Sequence, residues 1–109
     1  MKKTQLNRGL KKRVMYVESK GMPIEGAYAR IGWVSFSQSG QTVYYHDKVL
    51  RKGRGTSGNF IDELTGEEYW ISGIKKRGSN VHYAESVKVV VDGDAAKEYR
   101  KIKESANSA

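Results

Sequence analysis

The sequence predicts a mainly β protein, either a small SH3-like barrel or a strongly bent antiparallel sheet, with one helix at the C-terminus. Three observations lead to this prediction. Short runs rich in β-branched and aromatic residues follow one another closely, and turn residues separate them. These runs do not alternate with helical segments in the βαβ manner, which argues against a doubly wound α/β fold. After residue 91 the apolar period changes from that of a strand to that of a helix.

Six to eight short strands are predicted. The candidates cover residues 14–17, 26–36, 42–45, 48–51, 59–62, 67–72, 81–83 and 87–91. In the longest candidate, Ala29 and Ile31 point to one side. Val34 and Phe36 point to the other, so both faces are partly apolar, as in a central or strongly bent strand. Gly32 within this strand indicates a bulge or a close backbone approach.

The helix is predicted from the spacing of Ala95, Tyr99 and Ile102, which lie at i, i+4 and i+7 and form one apolar stripe. Asp92 or Asp94 is expected to cap its first turn, because a short acidic side chain can accept a hydrogen bond from a free backbone N–H there.

The domain organisation is expected to be simple. A chain of 109 residues corresponds to one domain. Residues 1–13 contain six basic side chains, no acidic one and no apolar period, so we expect a basic flexible arm. Residues 14–104 are predicted to form a single barrel-like domain, and residues 105–109 a frayed tail.

Charge and composition limit the classes of partner. The formal net charge is +8 and the isoelectric point is about 9.7, which favours an anionic partner such as nucleic acid. Because the chain has no cysteine, disulfides, thiol catalysis and zinc sites of the cysteine type are excluded. No segment approaches the roughly 20 apolar residues that span a bilayer. We therefore expect a cytoplasmic protein with no membrane partner.

No catalytic or cofactor site is predicted, so the protein is not expected to be an enzyme. His46 and His82 are the only histidines, and neither lies in a spaced cluster of metal ligands. Residues 53–58 match the string G-x-G-x-x-G. A strand-like hairpin follows them, whereas a dinucleotide site requires a helix there. We expect the protein to bind neither a cofactor nor a metal ion.

Two basic loops flank an aromatic hairpin at residues 58–71, a pattern typical of a binding surface for RNA or single-stranded nucleic acid. Cationic side chains would hold phosphates, and the glycines of the first loop would turn backbone N–H groups outward toward the same phosphates. Tyr44 and Tyr69 each face opposite to an adjacent aromatic residue and are the candidate stacking rings. The predicted nucleic-acid-binding residues are Arg51, Lys52, Arg54, Lys75, Lys76, Arg77, Tyr44 and Tyr69.

The alternative is a protein–protein interaction module, such as an adaptor or an inhibitor. SH3-like folds often bind proteins at aromatic grooves. The contact would then be the acidic hairpin and its rings, and the basic loops would be incidental. Its carboxylates are Asp62, Glu63, Glu67 and Glu68.

The chain also resembles a group of short bacterial proteins of unknown function. The resemblance spans about residues 14–102 and is carried by residues 29–37, 42–45, 65–73 and 75–76. Its most specific part is residues 66–73, Gly-Glu-Glu-Tyr-Trp-Ile-Ser-Gly. Some members carry the label 1-deoxy-D-xylulose-5-phosphate synthase, an enzyme that binds thiamine diphosphate and a metal across large α/β domains for which this chain has no room. The resemblance implies a compact β fold and no established activity. The chain departs from the group at His46 and Asp47, where a more basic glycine turn is common, and at Ile74, where proline is common.

Overall fold

The described part of the chain, residues 10–75 and 88–107, forms a closed β-barrel with one C-terminal helix in a computed structural model. The elements are β1 (Lys11–Ser19), β2 (Ala29–Phe36), β3 (Thr42–Tyr45), β4 (Lys48–Lys52), β5 (Phe60–Asp62), β6 (Glu68–Gly73), β7 (Val89–Val91), a 3-10 helix (Gly93–Ala95) and α1 (Ala96–Asn107).

The strands are arranged in the order β1-β6-β5-β4-β3-β2-β7, and a further β1–β2 pairing closes the first six into an antiparallel barrel. The seventh strand, β7, lies outside this ring and pairs in parallel with the first half of β2. The prediction of a mainly β fold, a small barrel consistent with the SH3-like type followed by a C-terminal helix, is confirmed.

The boundaries differ from the prediction at both ends of the domain. Strand β1 begins at Lys11, so the last three residues of the predicted arm are in the sheet, where Lys11 pairs with Phe36 of β2. Helix α1 continues to Asn107, beyond the predicted start of the tail at residue 105. The predicted strand 87–91 appears as β7, and the predicted strand 81–83 lies outside the described residues.

The barrel interior is filled by one apolar cluster, the inner core, to which all six ring strands contribute. Alternation along each strand directs these side chains inward. Its buried members are Met15, Val17, Ile24, Val34, Val43, Tyr45, Leu50, Phe60, Tyr69 and Ile71.

A second cluster, the outer core, covers the outside of β1 and β2. Its buried members are Val14, Tyr16, Ala29, Ile31 and Ala95. Tyr99 and Ile102 of α1 pack against it, as the predicted helical stripe requires. Strand β1 is therefore buried on both faces, which explains its continuous apolar run from residue 14 to residue 17. Among residues 10–75 and 88–107, no helix is both long enough and apolar enough to cross a membrane.

Candidate nucleic-acid interface

The strand connections bring several basic segments to one end of the barrel. Strand β4 ends at Lys52 and β5 begins at Phe60, so the loop 53–59 leaves the barrel at this end. The side-chain amide of Asn59 ties this loop to β6, because it donates to the Ile71 carbonyl and accepts from the Ile71 N–H, both at 2.8 Å. Strand β6 then runs out toward Lys75 at the same end.

Strand β1 starts at this end as well, because its residue Met15 pairs with Gly73 near the end of β6. We call this region the basic end, and its exposed cations are Lys11, Lys12, Arg13, Arg51, Lys52, Arg54 and Lys75. Four carboxylates lie in the connections at the opposite end of the barrel, on Glu25, Asp47, Glu63 and Glu67. The separation of charge along the barrel axis is partial, because Lys20 and Lys48 lie at the opposite end and Glu63 contacts Arg51.

The structure brings Arg51, Lys52, Arg54 and Lys75 of the predicted site to this end. Arg51 is bound to Glu63 by an exposed ion pair of 2.7 Å. Lys52 and Arg54 form no ion pair with any residue in the described ranges 10–75 and 88–107. Lys76 and Arg77 lie outside those ranges, as does His82.

The expectation of an exposed stacking ring at Tyr69 is wrong. Tyr69 is only 1% exposed and belongs to the inner core, where the Lys48 ammonium lies 5.8 Å from its ring centre. Alternation along β6 places Tyr69 and Ile71 inside the barrel and Trp70 outside it. The sequence held a signal for this choice, because Trp70 shares its face with the polar residues Glu68 and Ser72. Tyr44, the other predicted ring, is half-buried on the outer face of β3.

Trp70 contributes the aromatic surface beside the glycine-rich loop. Its half-buried ring packs against the outer core and also lines an open pocket of about 510 Å³. The rest of the pocket wall comes from Lys52 and residues 53–59. A ring, two cationic side chains and a glycine-rich backbone therefore meet at one place.

From the sequence we expected the amides of this loop to point outward, but those of Ser57 and Gly58 point at the Glu68 carboxylate. Glu68 reaches under the loop, where one carboxylate oxygen accepts hydrogen bonds from the N–H groups of Ser57 at 2.7 Å and Gly58 at 2.8 Å. These bonds, with a further one from Thr56, hold the pKa of Glu68 below its usual value. A Cβ at Gly55 would lie 2.3 Å from the Glu68 carboxyl group, so a side chain at this position would displace that carboxylate.

A second polar group, the seam cluster of Arg30, Tyr45, His46 and Asp92, lies where β2 and β3 separate. Strand β3 pairs only with the last two residues of β2, and β7 pairs with the first three, so Asp92 enters the gap just after β7. Its Oδ1 accepts from Arg30 Nε at 3.0 Å. Its Oδ2 accepts from the Tyr45 hydroxyl at 2.6 Å and contacts His46 Nε2 at 3.0 Å.

Asp92 stands at the N-cap position of the 3-10 helix, but its side chain makes no cap hydrogen bond. The predicted capping role is therefore wrong, because both oxygens are used in the seam cluster. Burial raises the pKa of Asp92, but the hydrogen bonds from Tyr45, His46 and Arg30 lower it by more, so the carboxylate stays ionised. Because the seam cluster joins β2, β3 and the segment after β7 across a gap that lacks strand pairing, we assign it a structural role.

His46 gives the seam a dependence on pH. Burial lowers the pKa of the ring, but its contacts with Asp92 and Glu25 raise it by more, and the net value lies above 6.5. A raised pKa in the folded state means that protonated His46 stabilises the protein below about pH 6.5 and that this contribution is lost as pH rises through the folded pKa.

We therefore expect the free energy of unfolding of the wild type to fall as pH rises from about 6.5 through the folded pKa of His46, and to fall less in His46→Asn. Asparagine is the suitable replacement because residue 46 has a φ of 52°, which asparagine tolerates. Urea unfolding at several pH values measures the difference. Parallel pH profiles for the two proteins would show that His46 carries no such linkage.

Comparisons of this chain with protein-family models, curated proteins and solved structures gave no match. Within residues 10–75 and 88–107, no group of three or more His, Asp and Glu side chains is arranged to hold a metal ion. The candidate site is therefore described by its own geometry, which is that of an exposed cationic surface with one aromatic wall.

Proposed function

We propose that the basic end binds nucleic acid, either RNA or another single strand, without strong sequence preference. The observation that carries this proposal is the convergence of cations from β1, β4, the loop 53–59 and the segment after β6 at one end of the barrel. Dispersed surface charge would serve solubility alone. Positive charge collected at one end gives a surface to which a polyanion is attracted.

The pocket beside Trp70 supplies the second part of the interaction. Single-stranded ligands combine backbone phosphates held by Lys and Arg with bases stacked on aromatic rings, at about 1–3 kcal/mol per stacked base. Lys52 and Arg54 stand on the same pocket as the Trp70 ring, so a phosphate and its neighbouring base can be held together. We assign this stacking role to Trp70 in place of Tyr69, and Tyr44 remains a more distant second ring.

Salt dependence tests the proposal. We expect a fluorescent oligouridylate to bind the wild type with an affinity that falls steeply as salt rises. The double substitution Lys52→Ala/Arg54→Ala should weaken binding for all sequences alike. It should also reduce the slope of log K against log salt by about 1.4, because each lost contact with a single strand removes about 0.7.

The matched control is Arg100→Ala/Lys101→Ala, which removes the same charges from the exposed side of α1. An equal loss in both double variants would mean that net charge alone attracts the ligand. Absence of binding at low salt would contradict the proposal directly. The proposal implies a cytoplasmic location, which cell fractionation would test.

A protein partner is the second candidate, and one observation favours it. Leu64 is 90% exposed and Met22 is 68% exposed at the end of the barrel opposite to the basic end, where the Met22 N–H donates to Glu67 at 2.9 Å. An apolar tip among carboxylates suits a basic protein surface. A stoichiometric partner that stays bound after nuclease treatment, and is lost in Leu64→Ser, would support this function instead.

A further inference from the structure

The loop 53–59 already holds an anion, and that anion is part of the protein. The Glu68 carboxylate accepts from Ser57 N–H and Gly58 N–H at 2.7 and 2.8 Å, which are the distances of charge-assisted hydrogen bonds. Consecutive N–H groups that point at one oxygen form the type of concave backbone site that binds phosphate in other proteins. The carboxylate stands where a phosphate oxygen would stand.

The loop is shaped to fit closely around this group. A Cβ at Gly58 would lie 2.6 Å from the Tyr69 carbonyl oxygen, and a Cβ at Gly55 would lie 2.3 Å from Glu68. A side chain at Gly58 would therefore push the loop away from the strand, and one at Gly55 would displace the Glu68 carboxyl group, so either change would separate the amides from the carboxylate. The site opens into the pocket of about 510 Å³ that Lys52, Arg54 and Trp70 also line.

We propose that the amides of Ser57 and Gly58 form a phosphate-binding site, and that Glu68 occupies it as a built-in competitor until a phosphate group of the ligand displaces it. This inference rests on the proposed function and names the atoms that receive the phosphate. The incoming phosphate gains the loop amides, and the adjacent Lys52 and Arg54 favour its larger charge.

The competitor makes the site selective for polymers over free phosphate. Glu68 is tethered beside the amides, so its effective concentration there is high and a free anion displaces it poorly. A nucleic acid held at the same time by other cations of the basic end presents its phosphate at a comparably high effective concentration. The protein would then ignore small phosphates and still bind a strand.

The experiment compares wild type, Glu68→Gln and Glu67→Gln by amide NMR during titration with inorganic phosphate. Glutamine keeps the shape of Glu68 and removes its charge, so the loop retains an internal acceptor that phosphate displaces more easily. Glu67→Gln changes the neighbouring residue by the same charge, and Glu67 bonds to Met22 and not to the loop. We expect Glu68→Gln to bind phosphate about tenfold more tightly than the other two, with the largest shifts at Ser57 and Gly58.

The inference is overturned if Glu67→Gln matches Glu68→Gln, or if Ser57 and Gly58 stay unperturbed in Glu68→Gln. A measurement on the wild type alone gives an independent answer. Adding oligouridylate should shift these two amides and also the Glu68 side-chain carboxyl carbon, because the carboxylate leaves its donors. If the oligonucleotide binds and all three signals stay fixed, the displacement does not occur.

These measurements distinguish free phosphate from the phosphate groups of a nucleic acid, and they test the anion site separately from the nucleic-acid function. Phosphate-induced shifts in Glu68→Gln without any oligonucleotide binding would retain the anion site and refute the nucleic-acid function. Salt-dependent oligonucleotide binding with no change at Ser57 and Gly58 would retain the function and refute the role of Glu68.

Discussion

Replacing Asp92 with alanine should lower the free energy of unfolding by about 3 kcal/mol, the loss typical of breaking one partner out of a buried ion pair. The Asp92 and Arg30 side chains are only 11% and 13% exposed, so solvent screens the remaining charge little. Without the carboxylate, the Arg30 guanidinium keeps its hydrogen bonds to the carbonyls of Ile24 and Glu25 but loses its charge partner. The Tyr45 hydroxyl, inside the barrel gap, loses its acceptor.

Asp94→Ala is the matched control for this prediction. It removes the same charge two residues away, from an exposed side chain. Within residues 10–75 and 88–107, Asp94 forms its hydrogen bond to a side chain through its backbone carbonyl, which accepts from the Trp33 indole N–H at 2.9 Å. We expect its cost to stay within about 0.5 kcal/mol. Urea unfolding followed by tryptophan fluorescence measures both variants. Equal losses at the two positions would show that the seam cluster adds no stability of its own.

Replacing Gly32 with alanine should destabilise the protein by a similar amount, about 3 kcal/mol, through overpacking. A Cβ at this position would lie 2.1 Å from Asp92 Oδ2 and 2.8 Å from Tyr45 Cε1. Neither neighbour moves freely, because the carboxylate is held by three donors and the ring is buried in the inner core. The methyl group must therefore break part of the seam cluster.

Gly93→Ala provides the control, since a Cβ there meets no atom within 4 Å. Its effect should be close to zero or slightly stabilising. The double variant Gly32→Ala/Asp92→Ala gives a further check, because the carboxylate that the new methyl group would strike is gone. We expect the double variant to lose at least about 1 kcal/mol less stability than the sum of the two single losses. Interaction energies of about 0.5–3 kcal/mol are typical of residues in contact. Strict additivity would contradict the proposed clash.

The parts of the fold that follow from local pattern could be predicted from the sequence. Alternation in residues 26–36 predicted a strand with two apolar faces, and β2 contributes Val34 to the inner core and Ile31 to the outer core. Gly32 predicted either a bulge or a close backbone approach, and the groups that lie close to it are the side chains of Asp92 and Tyr45. Helical spacing in residues 95–102 predicted the stripe that packs on the outer core.

The parts that depend on distant partners could not be predicted. Asp92 precedes a helix and is a residue type that favours the N-cap position, but its side-chain partners are Arg30 and Tyr45, which are 62 and 47 positions away. Similarly, Glu68 was grouped with the solvent-exposed hairpin acids, since nothing local reveals that the preceding loop folds over it. A tertiary contact of this kind has no period and no motif.

The candidate site was predicted in part. The sequence predicted that separate basic segments would converge, and the barrel topology places residues 51–54 and Lys75 at one end. It did not predict that β1 would bring Lys11, Lys12 and Arg13 to the same end, because these residues resembled a flexible arm. The prediction that Tyr69 is an exposed stacking ring was wrong. Burial of the apolar surfaces of Tyr69 and Ile71 decides which face of β6 points into the barrel.

The late position of β7 in the chain has a consequence for biosynthesis. All strands of the closed ring lie before residue 74, and the carboxylate that completes the gap follows at residue 92. A chain synthesised only as far as β6 therefore contains Arg30 and Tyr45 but lacks the Asp92 carboxylate that accepts from both of them. Chains that end between β6 and residue 92 are therefore expected to leave the Arg30 guanidinium without this charge partner.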